Sequence, residues 1–197
     1  MSHEDYTWIQ HCLSGDKNAF KPLVEKYQQS IFGTIYKMVF DPELTRDLTQ
    51  EVFVKVYTRL NTYDPRYPFK VWIHRIAIHR AIDFLRKKRP EQLIFDDDNN
   101  SEKPGLKHIL PDPSDTPDIS VERKEIADRV HHAIHQLDHK LKTVVVLRHF
   151  QEMSYDQISN VLNVPMGTVK NRLFRAREEL QRTLLNQQLT EREESER

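Results

Sequence analysis

The sequence predicts an all-α protein: two small helical domains joined by a flexible linker, the C-terminal domain containing a helix-turn-helix. Three observations predict it. The 197 residues include only four glycines but 38% apolar side chains, enough for packed cores with few turn points. Long stretches carry apolar residues at three-to-four spacing, with little of the alternation that marks strands. That pattern stops between residues 90 and 120. Pro90, Pro104, Pro111, Pro113 and Pro117, with the run Asp96, Asp97, Asp98, Asn99 and Asn100, cannot sustain a helix and bury little, so this segment reads as an extended acidic linker. The divisions are residues 1–89, the connector 90–120, residues 121–185 and a short polar tail, 186–197.

In the first body, Phe20, Leu23, Val24, Tyr27, Ile31, Ile35 and Met38 mark one helix. It ends before Asp41-Pro42, which reads as an N-cap followed by a first-turn proline. Leu44, Leu48, Val52, Val56 and Leu60 recur every fourth residue and mark the next helix. A turn-rich piece, NTYDPRYP, leads into a third helix from about Phe69 to Lys88, with Trp72, Ile73, Ile76, Ala77 and Leu85 on its buried side. Phe69 and Trp72 open that apolar stripe and read as core anchors.

In the second body, Ile126, Val130, Ile134 and Leu137 form a core stripe, and Asp138 starts a new helix as N-cap. Ser154 and Gln157 in MSYDQISNVL form a capping box, with Ile158, Val161 and Leu162 on the buried face. Asn163-Val164 breaks that helix, and Pro165 fits the first position of the next. Two helices so closely joined, the second rich in cations, read as a helix-turn-helix with residues 165 to about 183 as recognition helix. Turning 100° per residue puts Val169, Leu173, Ala176 and Leu180 on one stripe. Phe174 falls on the polar side with Asn171 and Arg175, where a large apolar ring gains nothing from the core.

The net charge is zero, but it is segregated: 15 Lys/Arg against 10 Asp/Glu in residues 1–89, 2 against 8 in the connector, and 11 against 8 in residues 121–185. Two basic bodies therefore flank an acidic connector, a distribution that suits nucleic-acid binding better than the total does. Arg75, His79, Arg80, Arg86, Lys87, Lys88 and Arg89 add a sequence-independent attraction for phosphate to the third helix. There is no apolar run of membrane-spanning length and no secretory pattern in MSHEDYTWIQHC; with Cys12 as the lone cysteine, the default location is the cytoplasm.

Read in order, GDKNAFKPLVEKY, DLTQEVFVKVY, FKVWIHRIAIHRAIDFLRKKR and LKTVVVLRHFQEMSYDQISNVLNVPMGTVKNRLFRAR closely resemble the two domains of bacterial RNA polymerase sigma factors of the extracytoplasmic-function group, in the sigma-70 superfamily. The resemblance covers nearly all of the chain except linker and tail. It implies a dissociable subunit, with no catalytic site, cofactor or metal of its own, that binds core RNA polymerase, recognises promoter DNA and promotes opening of the duplex. It also implies an anti-sigma factor or similar regulator as a partner.

By that resemblance, DLTQEVF is the polymerase-binding helix, with Asp47, Gln50, Glu51 and Phe53 in the motif's places. Complementary charge on such a face sets register and encounter rate; taken alone, Asp47 and Glu51 read as a solvated face with Lys55 as an i,i+4 partner. The turn and the basic helix correspond to the part that captures the minus-10 element, through Asn61, Tyr63, Asp64, Arg66, Tyr67, Arg75, His79, Arg80, Arg86 and Lys87. Tyr63 and Tyr67 are the rings expected to stack on bases. His79 stands where the family's RIA-x-N pattern has asparagine. Thr168, Lys170, Asn171, Arg172, Phe174 and Arg175 take the places that meet the minus-35 element, where arginine or lysine reads guanine and an apolar ring packs on a thymine methyl.

Two other readings compete. An autonomous operator-binding regulator would share the helix-turn-helix but leaves DLTQEVF without a purpose. A histidine-based metalloenzyme would use His131, His132, His135 and His139, yet a third ligand at i+8 lies too far along one helix for a single ion. No acid, base or nucleophile motif accompanies the histidines.

Overall fold

A computed structural model describes residues 3–88 and 117–195. Among these residues every regular element is helical, in two units. The connector lies outside the described residues except for its last four positions, because α5 begins at Pro117, a residue whose fixed φ and missing N–H suit a first turn.

The first unit comprises α1 (His3–Leu13), α2 (Phe20–Val39), α3 (Pro42–Thr58) and α4 (Phe69–Lys88). The apolar spacing does not announce α1. It is pinned by one buried carboxylate: Asp5 accepts hydrogen bonds from the Lys26 ammonium (2.7 Å) and the Tyr27 hydroxyl (2.8 Å), while Ile9 enters the core. Burial beside that carboxylate raises the Tyr27 phenol. The boundary between α2 and α3 follows the expectation from Asp41-Pro42, since Asp41 Oδ1 accepts the Leu44 N–H at 2.9 Å and Pro42 fills the first turn. Just before it, Phe40 closes α2 in the left-handed region at φ 58°, its N–H donating to the Tyr36 carbonyl.

The second unit comprises α5 (Pro117–Gln136), α6 (His139–Val145) with a π-turn over Val146–Phe150, α7 (Tyr155–Leu162) and α8 (Met166–Ser195). Asp138 caps α6 through the Lys140 N–H (2.8 Å), and the Ser154–Gln157 capping box is closed in both directions. Pro165 differs slightly from expectation: it precedes α8, offering its carbonyl to the first intrahelical bonds.

The two units pack on each other, and α4 is the reason. Its residues Phe69, Ile73 and Ala77 face the core of the first unit. A second stripe, Val71, Ile78 and Ala81, joins Met38 in a cluster with Val144, Leu147, Met153, Ile158, Val169 and Leu173 of the second unit. Polar groups bridge the same seam. His74, fully buried, donates from Nδ1 to the Lys70 carbonyl (2.7 Å), fixing its tautomer because a carbonyl only accepts. Its Nε2 lies 3.2 Å from Ser30 Oγ, whose hydroxyl donates to Gln151 Oε1 (2.8 Å). The Lys70 ammonium donates to the Gln151 carbonyl (2.8 Å). At the rim, the Lys37 ammonium sits 4.5 Å from the centre of the Phe150 ring, and the Phe40 ring meets His135 edge-on at 4.3 Å.

Candidate nucleic-acid interface

The turn before α8 is built by small polar groups. Asn163 adopts the left-handed conformation (φ 53°) that asparagine tolerates, and the Ser159 hydroxyl donates to the Val164 carbonyl (2.6 Å). This fixes the rotation of α8 so that Val169, Leu173 and Ala176 are buried. Lys170, Asn171, Phe174 and Arg175 face solvent, with Arg172 and Thr168 half-buried. Phe174 is 59% exposed, on the side the helical angle assigned to it. Across a cleft of about 660 Å³, α8 faces the start of α6, where Lys140 and Leu141 stand opposite Asn171, Arg172 and Arg175. Lys140 was not singled out by motif. Its signal is its place just after the Asp138 cap, whose carboxyl is held at about 2 mainly by a hydrogen bond from His139.

On the first unit, Arg75, His79, Arg86 and Lys87 are exposed along α4. The His79 ring is drawn along the helix by the Arg75 carbonyl (2.7 Å), and Arg86 pairs with Asp83 (2.6 Å). Arg80 is paired with Glu51 of α3, and that hydrogen bond holds the Glu51 carboxyl below its ordinary range. Glu51 therefore takes its partner from α4 rather than Lys55. In the turn before α4, Asn61 and Tyr67 are exposed, and Asp64 and Arg66 clasp each other (2.6 Å).

Two residues expected at interfaces are core residues. Tyr63 is 9% exposed: its ring packs edge-on to Phe69 (5.3 Å) and near Trp72 (5.5 Å), and its hydroxyl donates to the Tyr67 carbonyl (2.6 Å). Burial pushes its phenol to about 12. Tyr63 shapes the turn from within, leaving Tyr67 as the ring on offer. Phe53 is likewise buried, edge-on to Phe20. The exposed apolar residue beside Asp47, Gln50 and Glu51 is Val54, at 65%, which the i, i+3, i+4, i+7 spacing places on their face.

The histidines on α5 and α6 do not converge. His131 lies near the Phe150 ring, His132 meets the Gln136 amide, His135 abuts Phe40, and His139 pairs with Asp138. Among the described residues no group of three His, Cys, Asp or Glu side chains is placed to hold a metal ion.

Comparison with known proteins gives the arrangement a family. Sigma-70 region 2 matches residues 23–91, and Sigma-70, region 4 matches residues 127–180. The RNA polymerase sigma-H factor of Pseudomonas aeruginosa is 37% identical over 186 residues, covering 92% of this chain and 94% of that protein. The extracytoplasmic-function RNA polymerase sigma factor SigW of Bacillus subtilis is 31% identical over 176 residues, covering 89% and 94%. In fold, the chain is similar to CnrH, solved in complex with the cytosolic domain of CnrY (TM-score 0.65, 23% identity, covering 92% and 97%). It is also similar to the sigma factor RpoE of Bartonella quintana, solved with the anti-sigma factor NepR (TM-score 0.62, 18% identity, covering 84% and 96%). The chain belongs to the extracytoplasmic-function group of RNA polymerase sigma factors.

Proposed function

We propose that this chain binds core RNA polymerase, directs it to promoters with minus-35 and minus-10 elements, and promotes duplex opening. The observation that carries this reading is the division of exposed chemistry between two units. The second unit presents an aromatic ring among cations on α8; the first presents an acidic, polar face on α3 and a basic face on α4. The α8 face suits the major groove, with Lys170, Asn171, Arg172 and Arg175 for base edges and phosphates and Phe174 for an apolar base edge. Thr168 and Lys140 flank it as phosphate contacts. The basic face of α4, through Arg75, Arg86 and Lys87 with His79 beside them, follows the backbone of the separated strand, and Tyr67 stacks on an unpaired base, an interaction worth about 1–3 kcal/mol. Asn61 and Arg66 complete that edge, and Asp64 orients Arg66. Asp47, Gln50 and Glu51, with Val54 among them, form the polymerase-docking face.

The activity is that of an initiation factor rather than an enzyme, and its working place is the cytoplasm; no helix among the described residues is long and apolar enough to cross a membrane. An anti-sigma factor is a further partner.

Reconstituted transcription with core polymerase tests the reading: adding this chain should confer initiation at a defined promoter set, and no gain of initiation would refute it. The double variant Asp47→Ala/Gln50→Ala is expected to weaken polymerase binding about tenfold, or roughly 1.4 kcal/mol, with an unchanged helical spectrum. Unaltered affinity in a titration would remove α3 from the interface. Phe174→Ala should impair initiation that depends on the minus-35 element and leave stability within about 0.5 kcal/mol, as for surface positions generally. A large fall in melting temperature with promoter preference intact would place the ring in the core instead.

A further inference from the structure

The cations of α4 do not all share one face. Turning about 100° per residue puts Arg75, His79 and Arg86 within roughly 40° of one another, whereas Arg80 lies about 100–140° round the helix from all three. That rotation carries Arg80 toward α3, against which α4 packs. Burial follows the same division: Arg75, His79 and Arg86 are exposed, while the Arg80 side chain is only 22% exposed. Its Nε donates to Glu51 Oε2. Arg80 is thus turned away from the stripe assigned to the separated DNA strand.

At the other end of that bond, Glu51 stands on α3 with Asp47, Gln50 and Val54, all of them exposed. The glutamate side chain remains 52% exposed while paired. Arg80 takes Oε2, and among the described residues Oε1 has no donor, so the carboxylate keeps acceptor capacity for a group outside the chain. The hydrogen bond from Arg80 is the main influence holding the Glu51 carboxyl below its ordinary range, with the charges of Arg80, Lys87 and Lys55 adding to it against desolvation. An ion pair this open contributes little to the stability of the fold. Its contribution is order: a glutamate otherwise free to sample several rotamers is kept in one, and a side chain ordered beforehand loses less freedom on docking.

We infer that Arg80 is a positioning residue of the polymerase-docking face rather than a DNA contact: it holds Glu51 in the orientation in which α3 meets a cationic surface of core polymerase. The inference rests on the sigma-factor reading and adds to the α3 face a residue supplied by α4. The chemistry of the partner surface follows from that face, since two carboxylates and a carboxamide with Val54 among them fit a surface that offers cations around a small apolar contact. Arg80 sits behind Glu51 and partly covered, so its charge is directed at the glutamate and not presented to the partner.

The test measures the affinity of the full chain for core polymerase without DNA, and then the binding of the assembled complex to a single-stranded minus-10 oligonucleotide. Arg80→Met, which keeps the apolar stem, should weaken core binding about fivefold, the worth of ordering one flexible side chain. Arg80→Lys should recover part of that loss. In a Glu51→Ala background, Arg80→Met should change core affinity by less than about twofold, because the residue it positions is gone. With the complex assembled at saturating chain, strand affinity should equal the parent's. A variant that merely destabilised the chain would show the same loss in both backgrounds, and that result would overturn the inference. So would core affinity unchanged by Arg80→Met, or strand binding weakened with core binding intact, which would return Arg80 to the DNA face. Failure of the parent chain itself to bind core polymerase would refute the sigma-factor reading, whereas binding by the parent with no effect of Arg80 refutes this inference alone.

Discussion

Phe69→Ala is expected to cost about 3–5 kcal/mol of stability, the usual range for truncating a buried phenylalanine. Phe69 is 1% exposed and has the rings of Tyr27, Tyr63 and Trp72 around it at 5.3–5.5 Å between centroids. Removing it leaves a hole at the start of α4, directly behind the turn that carries Asn61 and Tyr67. Tyr63 then loses one wall of its site, and the bond from its hydroxyl to the Tyr67 carbonyl loosens. Urea denaturation monitored by circular dichroism reads the first effect, and duplex opening at a promoter reads the second. A loss below about 1 kcal/mol would show that the neighbouring rings collapse into the space and that Phe69 is not the anchor of the turn.

The second large effect is expected from pH. Burial lowers the His74 imidazole from 6.5 to about 4, outweighing the hydrogen bonds that favour its charged form; the Lys70 ammonium acts in the same direction as burial. Ser30, Lys70 and Gln151 are the polar groups around the ring, from α2, from α4 itself and from the end of the π-turn. The unfolded chain takes up a proton at this residue near pH 6.5 and the folded chain only near 4. Between those values the unfolded state binds more protons, so stability falls as pH drops through the window. From pH 7.5 to 5 the loss amounts to about 2 kcal/mol for this residue. Burial lowers His131 and His149 as well, with the same sign. The comparison that isolates His74 is therefore His74→Gln, which retains hydrogen-bonding groups without titrating. Its denaturation midpoints should change less between the two pH values; parallel behaviour of parent and variant would show that the ring is not the group responsible.

Local signals in the sequence announced local structure. Asp41-Pro42, Ser154 with Gln157, and Asp138 each fixed a helix start because a cap is satisfied within three residues of itself, and the α8 stripe followed from one angular period. What the sequence concealed depends on which surface each helix meets. Nothing in the sequence marks His74 as buried until Val71, Ile78 and Ala81 are seen as a second stripe, one that has a purpose only when the other unit lies against it. Val54 and Phe53 are adjacent in DLTQEVFV, and only packing against Phe20 decides which ring or branch turns inward. Tyr63 sits in a turn-rich segment where exposure is the default, yet the rings of Phe69 and Trp72 close over it. The place of the short α1 depends on Asp5, whose partners lie more than 20 residues away.

The left-handed Phe40 illustrates a conflict between scales. A helix ending in this conformation is served best by glycine, which has no Cβ to crowd the preceding turn, and a bulky side chain there is an outlier. Here the ring lies against His135 and 5.2 Å from the Lys142 ammonium, both on the opposite unit. In the language of energy landscapes, this is a locally frustrated residue whose frustration is relieved only by a long-range contact. The backbone at Phe40 consequently stores strain that docking offsets and separation does not, which makes this corner a point where the conformational preference of one residue and the assembly of the whole chain are set against each other.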